Sequence, residues 1–253
     1  MKNIVLIISL LLFIHCFPLG AKNMNSLKEQ GDSAFVKGNY EMAIDSYESL
    51  LKGGESADVY YNLGNSYYKA GKIAKSIVNY ERAYLLQPGD GDIKANLEVA
   101  RSKTIDKVEP IPDIFFIGWL KAIGNLINLN SWAIIGIVGF LLFIFSLCCW
   151  IFSKRTSLRK IGFSFGLLFL VLTICANFYA SYQKDKLFNR NAAIIMQPSI
   201  IVRSTPSEGG TTLFILHEGH KVFIKDNSMK EWKEVRLENG NVGWVPTSSI
   251  EVI

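Results

Sequence analysis

Two uncharged, strongly apolar runs, Trp132 to Phe152 and Ile161 to Tyr182, stand eight residues apart in a chain of 253. At 21 and 22 residues, each matches the roughly 20 that a helix needs to cross a hydrocarbon core about 30 Å thick. The connecting stretch SKRTSLRK carries Lys154, Arg155, Arg159 and Lys160 and no acid. Short basic loops stay in the cytoplasm. Spacing and charge therefore predict a transmembrane hairpin, with spans at 132–152 and 161–182, a cytoplasmic loop at 153–160, and both flanking regions on the opposite side.

The amino-terminal end agrees with that topology. Residues 1–21 hold a lone Lys2, an apolar stretch from Ile4 to Ile14, then Pro18, Gly20 and Ala21 before polar sequence resumes, the layout of a signal peptide. Cleavage is expected near Ala21, an uncleaved anchor being the alternative. Cys16 follows Ile14 and His15 rather than a small residue, which argues against lipidation. The other cysteines, Cys148, Cys149 and Cys175, lie inside the apolar runs, so neither disulfide staples nor thiolate zinc sites are expected in the flanking regions.

A formal charge of +5 invites a nucleic-acid reading, which its distribution excludes. Residues 22–107 hold 12 basic and 12 acidic side chains, residues 183–253 hold 9 and 8, and the remainder holds 6 and 2. The excess lies beside the membrane, and a basic patch on a folded region, the footprint of nucleic-acid binding, is missing.

Between residues 28 and 90 the chain repeats itself. GDSAFVKGNYEMAIDSYESLL from Gly31 lies over GNSYYKAGKIAKSIVNYERAY from Gly64, aligning Gly31 with Gly64, Gly38 with Gly71, Ala43 with Ser76 and Tyr47 with Tyr80 at a constant offset of 33. Small residues where two helices cross and aromatics where they stack, near a period of 34, are the signature of a tetratricopeptide array. The second copy resembles that family closely, through Tyr60, Leu63, Gly64, Tyr67, Gly71, Ala83 and Pro88. Ala34 stands where the first copy should have an aromatic. The expected organisation of residues 22–108 is two repeats, 28–56 and 57–90, and a capping helix at 91–107 in which Asn96 and Leu97 repeat Asn62 and Leu63.

The resemblance implies peptide binding on the face lined by the first helices. In the carboxylate-binding variant of such arrays the register would need a Lys, Asn, Asn, Lys, Arg set, and here it meets Lys28, Asp32, Asn62, Asp92 and Asn96. Two acids in those places would repel a carboxylate. The candidate peptide groove is Lys28, Tyr61, Asn62, Asn65, Tyr68, Lys69 and Asn96; the other reading of these residues is an ordinary solvated helix face.

Pro110 and Pro112 mark a linker, and residues 109–131 then carry Phe115, Phe116, Trp119, Leu120, Ile123 and Ile127 around a polar stripe of Lys121, Gly124, Asn125 and Asn128. This pattern predicts an amphipathic helix in the bilayer interface, or else an extension of the first span.

From Asn191 the sequence changes to short β-branched runs, AAIIM, IIVR, TLFIL, KVFIK, WKEVRL and VGWVP, whose spacing predicts a small antiparallel barrel. Asn239 and Gly240 are expected to make a two-residue hairpin turn. Residues 191–253 resemble the bacterial SH3 family through Val202, Arg203, Ser204 and Pro206, Glu218, Gly219 and Val222, Trp232, Val235 and Leu237, and Gly240, Gly243, Trp244 and Val245. That resemblance implies an aromatic groove for peptidoglycan peptides or proteins and nominates Trp232 and Trp244, with core packing the alternative for at least one. His217 and His220, in HEGH, are one residue short of the zinc-protease spacing and are read as turn residues.

The fold class is thus a multi-domain membrane protein, in which an all-α tetratricopeptide array, a two-helix transmembrane hairpin and a small all-β SH3-like barrel follow one another. This order, with the wording KDKLFNRNAAIIMQPSIIVRSTPSEGGTTLFILHEGHKV and the ending VGWVPTSSIEVI, resembles the BatE family of the Bacteroides aerotolerance group. The resemblance implies a bacterial inner-membrane complex with Bat-type companions carrying von Willebrand A domains and linked to a MoxR-type ATPase. No cofactor and no catalytic constellation is expected, and there is no room for a separate catalytic domain of about 100 residues. The expected function is a non-enzymatic scaffold with both modules periplasmic; the alternative is a cell-wall sensor whose terminal module binds peptidoglycan.

Overall fold

The computed structural model describes residues 20–107 and 114–253. Residues 1–19, which hold nearly all of the expected signal peptide and Cys16, and residues 108–113, with Pro110 and Pro112, lie outside the described residues.

Five helices come first: α1 (Gly20–Val36), α2 (Tyr40–Leu51), α3 (Ala57–Lys69), α4 (Ile73–Leu86) and α5 (Gly91–Ser102). The repeat shows itself as geometry. A Cβ added to Gly64 would sit 2.6 Å from the Tyr80 ring, and one added to Gly31 would sit 2.7 Å from the Tyr47 ring. In both copies the first helix lies directly on the tyrosine of the second. Gly38 and Gly71, also one period apart, end α1 and α3 with φ of 75° and 78°. Backbone N–H groups of the following residues then return to Ala34 O and Tyr67 O, the helix stop that glycine permits at little cost. Ala34, small where Tyr67 is large, is buried with Ala43, Tyr47 and Tyr67 in the core that joins the repeats.

Beyond the cap come α6 (Phe115–Gly124), α7 (Leu129–Phe152) and α8 (Thr156–Phe188). Helices α7 and α8 are long and apolar enough to cross a membrane, and they pack on each other through small residues, among them Gly139, Gly162 and Ser146. Helix α6 is separate from α7 rather than an extension of it: the turn from Asn125 intervenes, and Asn128 caps α7 by accepting from Ser131 N at 2.9 Å. The eight-residue loop expected at 153–160 is shorter, because α8 already begins at Thr156. Its charges suggested a loop, yet Ser157–Lys160 contains no helix breaker, so Arg159 and Lys160 continue the helix and only Ser153, Lys154 and Arg155 connect.

The carboxy-terminal region has seven strands, β1 (Ala192–Ile195), β2 (Ser199–Arg203), β3 (Thr212–His217), β4 (Lys221–Asp226), β5 (Trp232–Arg236), β6 (Val242–Pro246) and β7 (Ile250–Val252). They form one antiparallel sheet in the order β3-β2-β6-β5-β4-β1-β7. The sheet is not closed, since β3 and β7 are edges that do not pair with one another. The expected barrel is therefore an open, curled sheet over a core of residues such as Ile195, Val202, Val222, Val235 and Val245.

The turn at Asn239–Gly240 also differs from expectation. Gly240 N donates to Leu237 O, Leu237 N donates to Asn241 O, and Gly240 has φ 88° while no non-glycine residue has positive φ. Asn239 thus cannot take the left-handed conformation that a type I′ turn demands. Glu238, Asn239 and Gly240 make a three-residue connection with glycine at its left-handed position.

Candidate functional site

The sheet docks on the outside of the repeats. Strand β1 is apolar without interruption, as a strand buried on both faces must be: Ala193 and Ile195 enter the sheet's own core, whereas Ile194 enters a second core with Ala74, Ile77 and Val78 of α4 and with Ile253. Burying Ile77, Ile194 and Ile253 here contributes about 1.5–3 kcal/mol each.

Polar contacts frame this apolar joint. Glu81, 3% exposed, is gripped by Arg101 of α5 and by Lys221 of β4, the latter at 2.7 Å. Burial pushes its carboxyl upward, but the charges of Lys221 and Arg101 and their hydrogen bonds outweigh burial and hold it below its ordinary value. Lys75 pairs with Glu251 at 2.8 Å, and Arg82 with Glu251 at 3.1 Å and with Val252 O. Asp106 accepts from His217 N at 2.7 Å and meets its Nδ1 at 2.8 Å. His220 is buried in the same seam, and burial lowers its pKa. His220 N donates to His217 O, so the two histidines are the end residues of the turn whose centre is Glu218–Gly219, as their spacing suggested; they also lie in the joint.

The hairpin is fastened to the same assembly. Gln183 of α8 donates to Gly124 O and, at 2.6 Å, to Ile127 O, while Trp132 Nε1 donates to Gly124 O at 3.1 Å and stacks on Tyr179. Gly89, after α4, abuts the Leu126 carbonyl so closely that a side chain there has no room. Arg190 pairs with Glu55 at 2.6 Å, and its hydrogen bond holds the Glu55 carboxyl below its ordinary value.

With the outer face occupied, the inner face carries an open groove of about 190 Å³ lined by Phe35, Asn65, Tyr68, Lys69, Tyr80, Asn96 and Val99. Asn65 Oδ1 accepts from Tyr80 Oη at 2.6 Å and from Asn96 Nδ2 at 3.1 Å, and Asn96 Nδ2 also donates to Tyr61 Oη at 2.8 Å. Burial pushes the Tyr80 phenol well up, so it remains a donor. Of the residues nominated from the sequence, Asn65, Tyr68, Lys69 and Asn96 line the groove and Tyr61 braces it. Lys28 and Asn62 do not line it. Lys28 is spent on Asp32 at 2.8 Å, an acid that also accepts from Tyr47 Oη, and Asn62 offers its carbonyl to Ser66 Oγ. Phe35 and Val99 are groove residues that the sequence reading did not name; the signal was the repeat itself, since Phe35 stands 33 residues before Tyr68 and Val99 34 residues after Asn65.

Trp232 and Trp244 both stay out of the sheet's core. Trp232 lies opposite Pro246 and Trp244 opposite Glu234, so the two indoles share the outer face of β5–β6, half-buried, while Val235 and Val245 point inward. Among the described residues no group of three or more His, Cys, Asp and Glu side chains is placed to hold a metal ion.

A helical array with one face docked and the other open defines a protein-interaction module. Residues 57–90, which contain α3 and α4, match the family described as tetratricopeptide repeat. No curated protein matches the chain.

Proposed function

We propose that this chain is a non-enzymatic, membrane-anchored scaffold of the BatE type, with its repeats and its SH3-like sheet together on the periplasmic side of a bacterial inner membrane. The observation that carries the reading is the division of labour in the repeats: α4 and α5 are committed to the β sheet, while the groove on α1, α3 and α5 is left open. Hydrogen bonds run between repeats and sheet, and partners so bonded share one compartment. Lys154 and Arg155 at the far turn of the hairpin support a cytoplasmic position for that end, through the positive-inside bias. Exposed Phe115, Phe116 and Trp119 on α6 suit a helix lying in the headgroup region beside the anchor. In this reading the groove takes an extended segment of a Bat-type companion with a von Willebrand A domain, itself linked to a MoxR-type ATPase.

The test is cross-linking and co-purification from intact cells with the Asn65→Ala/Lys69→Ala chain. Retention of companion proteins is expected to fall at least tenfold; Lys69→Ala alone, an exposed replacement, keeps the melting temperature within about 2 °C, whereas Asn65→Ala also takes the acceptor from Tyr80 Oη and lowers it further. Unchanged retention would remove the groove from the mechanism. The paired Trp232 and Trp244 on one outer face favour the cell-wall sensor as the second reading. That reading replaces the first if the purified chain sediments with peptidoglycan, Trp232→Ala abolishes sedimentation, and companions are not retained.

A further inference from the structure

Helix α8 packs on α7 and carries a polar line along the rim of that packing face, where Thr173 lies against Gly139. Ala176, Tyr179 and Gln183 are buried in the hairpin. Thr173, Asn177 and Ser181, spaced at i, i+4 and i+8, form a ridge beside them, along which Asn177 and Ser181 are exposed. Thr173 satisfies its hydroxyl within the helix, donating to Phe169 O at 2.8 Å. Asn177 does so only in part: one N–H goes to Thr173 O at 2.8 Å, and among the described residues nothing takes the other N–H or serves Oδ1. Gly136 of α7 lies under the amide, where a Cβ would come within 3.2 Å of Nδ2, so the side chain rests over the seam of the hairpin and turns its free polar atoms outward. Around it Ile174, Phe178 and Ile137 are exposed and apolar.

This inference rests on the membrane reading above. Asn177 lies five residues before the end of the apolar run at Tyr182, hence about 7–8 Å inside it at 1.5 Å per residue. At that depth a free amide has no water to bond. We infer that Asn177 is the contact by which two copies of this chain associate in the membrane, amide to amide across a two-fold axis along the membrane normal. Two features select a second copy as the occupant. Identical chains inserted with the same topology bring Asn177 to Asn177 at the same depth without adjustment, and a carboxamide is self-complementary, offering one donor and one acceptor to its twin. Ser181, exposed one turn further on, lets the helices approach closely, as small and hydroxylated residues do between spans.

The experiment is subunit counting by single-molecule photobleaching of the full chain in phosphatidylcholine vesicles over a range of protein-to-lipid ratios. The wild-type chain is expected to dimerise, Asn177→Leu to dissociate about 3- to 20-fold more readily, the range found for interhelical hydrogen bonds in membranes, and Asn177→Gln to lie close to wild type. With Cys16, Cys148, Cys149 and Cys175 replaced by serine, Ser181→Cys is expected to form an intermolecular disulfide and Val171→Cys, on another face, is not. A wild-type chain that stays monomeric, association unaltered in Asn177→Leu, or equal cross-linking from both cysteines overturns the inference. Alkaline carbonate extraction separates this failure from that of the membrane reading: a chain that extracts as soluble sinks both, whereas an integral chain that stays monomeric sinks only the contact at Asn177.

Discussion

Replacing Glu81 with alanine is expected to destabilise the folded chain by about 3 kcal/mol and to release the β sheet from the repeats. The carboxylate pairs with both Arg101 and Lys221, and removing one member of a buried ion cluster costs more than the cluster contributes, because the remaining charges are left desolvated. Arg101 is 40% exposed and recovers part of its hydration, which places the effect at the lower end of the range for buried pairs. Denaturant unfolding of the detergent-solubilised chain measures the loss, and hydrogen exchange in β1 reports the release. Exchange in β1 unchanged together with a loss below about 0.5 kcal/mol would mean that the joint does not depend on Glu81.

Acid works on the same seam, and the direction follows from the shifts. His220 is lowered from 6.5, so the folded form resists protonation and the unfolded chain binds the proton more readily; stability is full above 6.5 and declines as pH falls from there toward the folded value. Glu81 and Glu55 are lowered from 4.5, so what they contribute is present above 4.5 and is lost as pH falls through their folded values. The melting temperature is therefore expected to be level between pH 7 and about 9, to slope downward below about 6.5 and to fall more steeply below 4.5. Above pH 10 it falls again, because the phenols of Tyr47, Tyr67 and Tyr80 are held above their ordinary value of 10.0 by burial. A midpoint that rises on acidification would contradict the neutral state of His220.

Gly64→Val is the second large effect, about 3 kcal/mol of destabilisation with loss of the groove. The added carbon meets Tyr80, whose ring is 2% exposed and whose hydroxyl is tied to Asn65. It cannot swing aside without breaking the bond that orders the groove, and overpacking of this kind costs about 1–3 kcal/mol even for smaller insertions. Gly91→Ala is the control, since nothing lies within 4 Å of the carbon it adds; it should change stability by no more than about 1 kcal/mol. Equal effects from the two substitutions would discredit the helix crossing at Gly64.

The candidate groove was partly legible before folding. Asn65, Tyr68, Lys69 and Asn96 are at helical spacing on adjacent repeat helices, and the 33-residue offset puts those helices side by side. Lys28 holds the right register position, but its charge is answered one turn away, by Asp32, a match that the repeat alignment does not contain. The expected barrel stays open for a different reason. Strand spacing specifies how many strands form, whereas closure depends on whether the first and last edges meet, and here β7 lies beside β1 at one end while β3 stays at the other.

Periodicity acts over a few residues, so the sequence by itself determined what depends on it: the repeat with its glycine–tyrosine crossings, two apolar helices joined by a basic turn, and the alternation that sets Val235 and Trp232 on opposite faces of β5. Core packing of at least one tryptophan, which the sequence left open, is not what the fold adopts. Only the tertiary structure decided which faces meet. The pairing of Glu81 with Lys221, of Asp106 with His217 and of Ile194 with Ile77 joins residues more than 100 positions apart, and no local pattern encodes such a match. Each side chain there has an ordinary reading on its own, as a surface charge or a strand residue. It becomes a joint because burial removes water from both partners at once, and that happens only when the hairpin has brought the two modules to the same end.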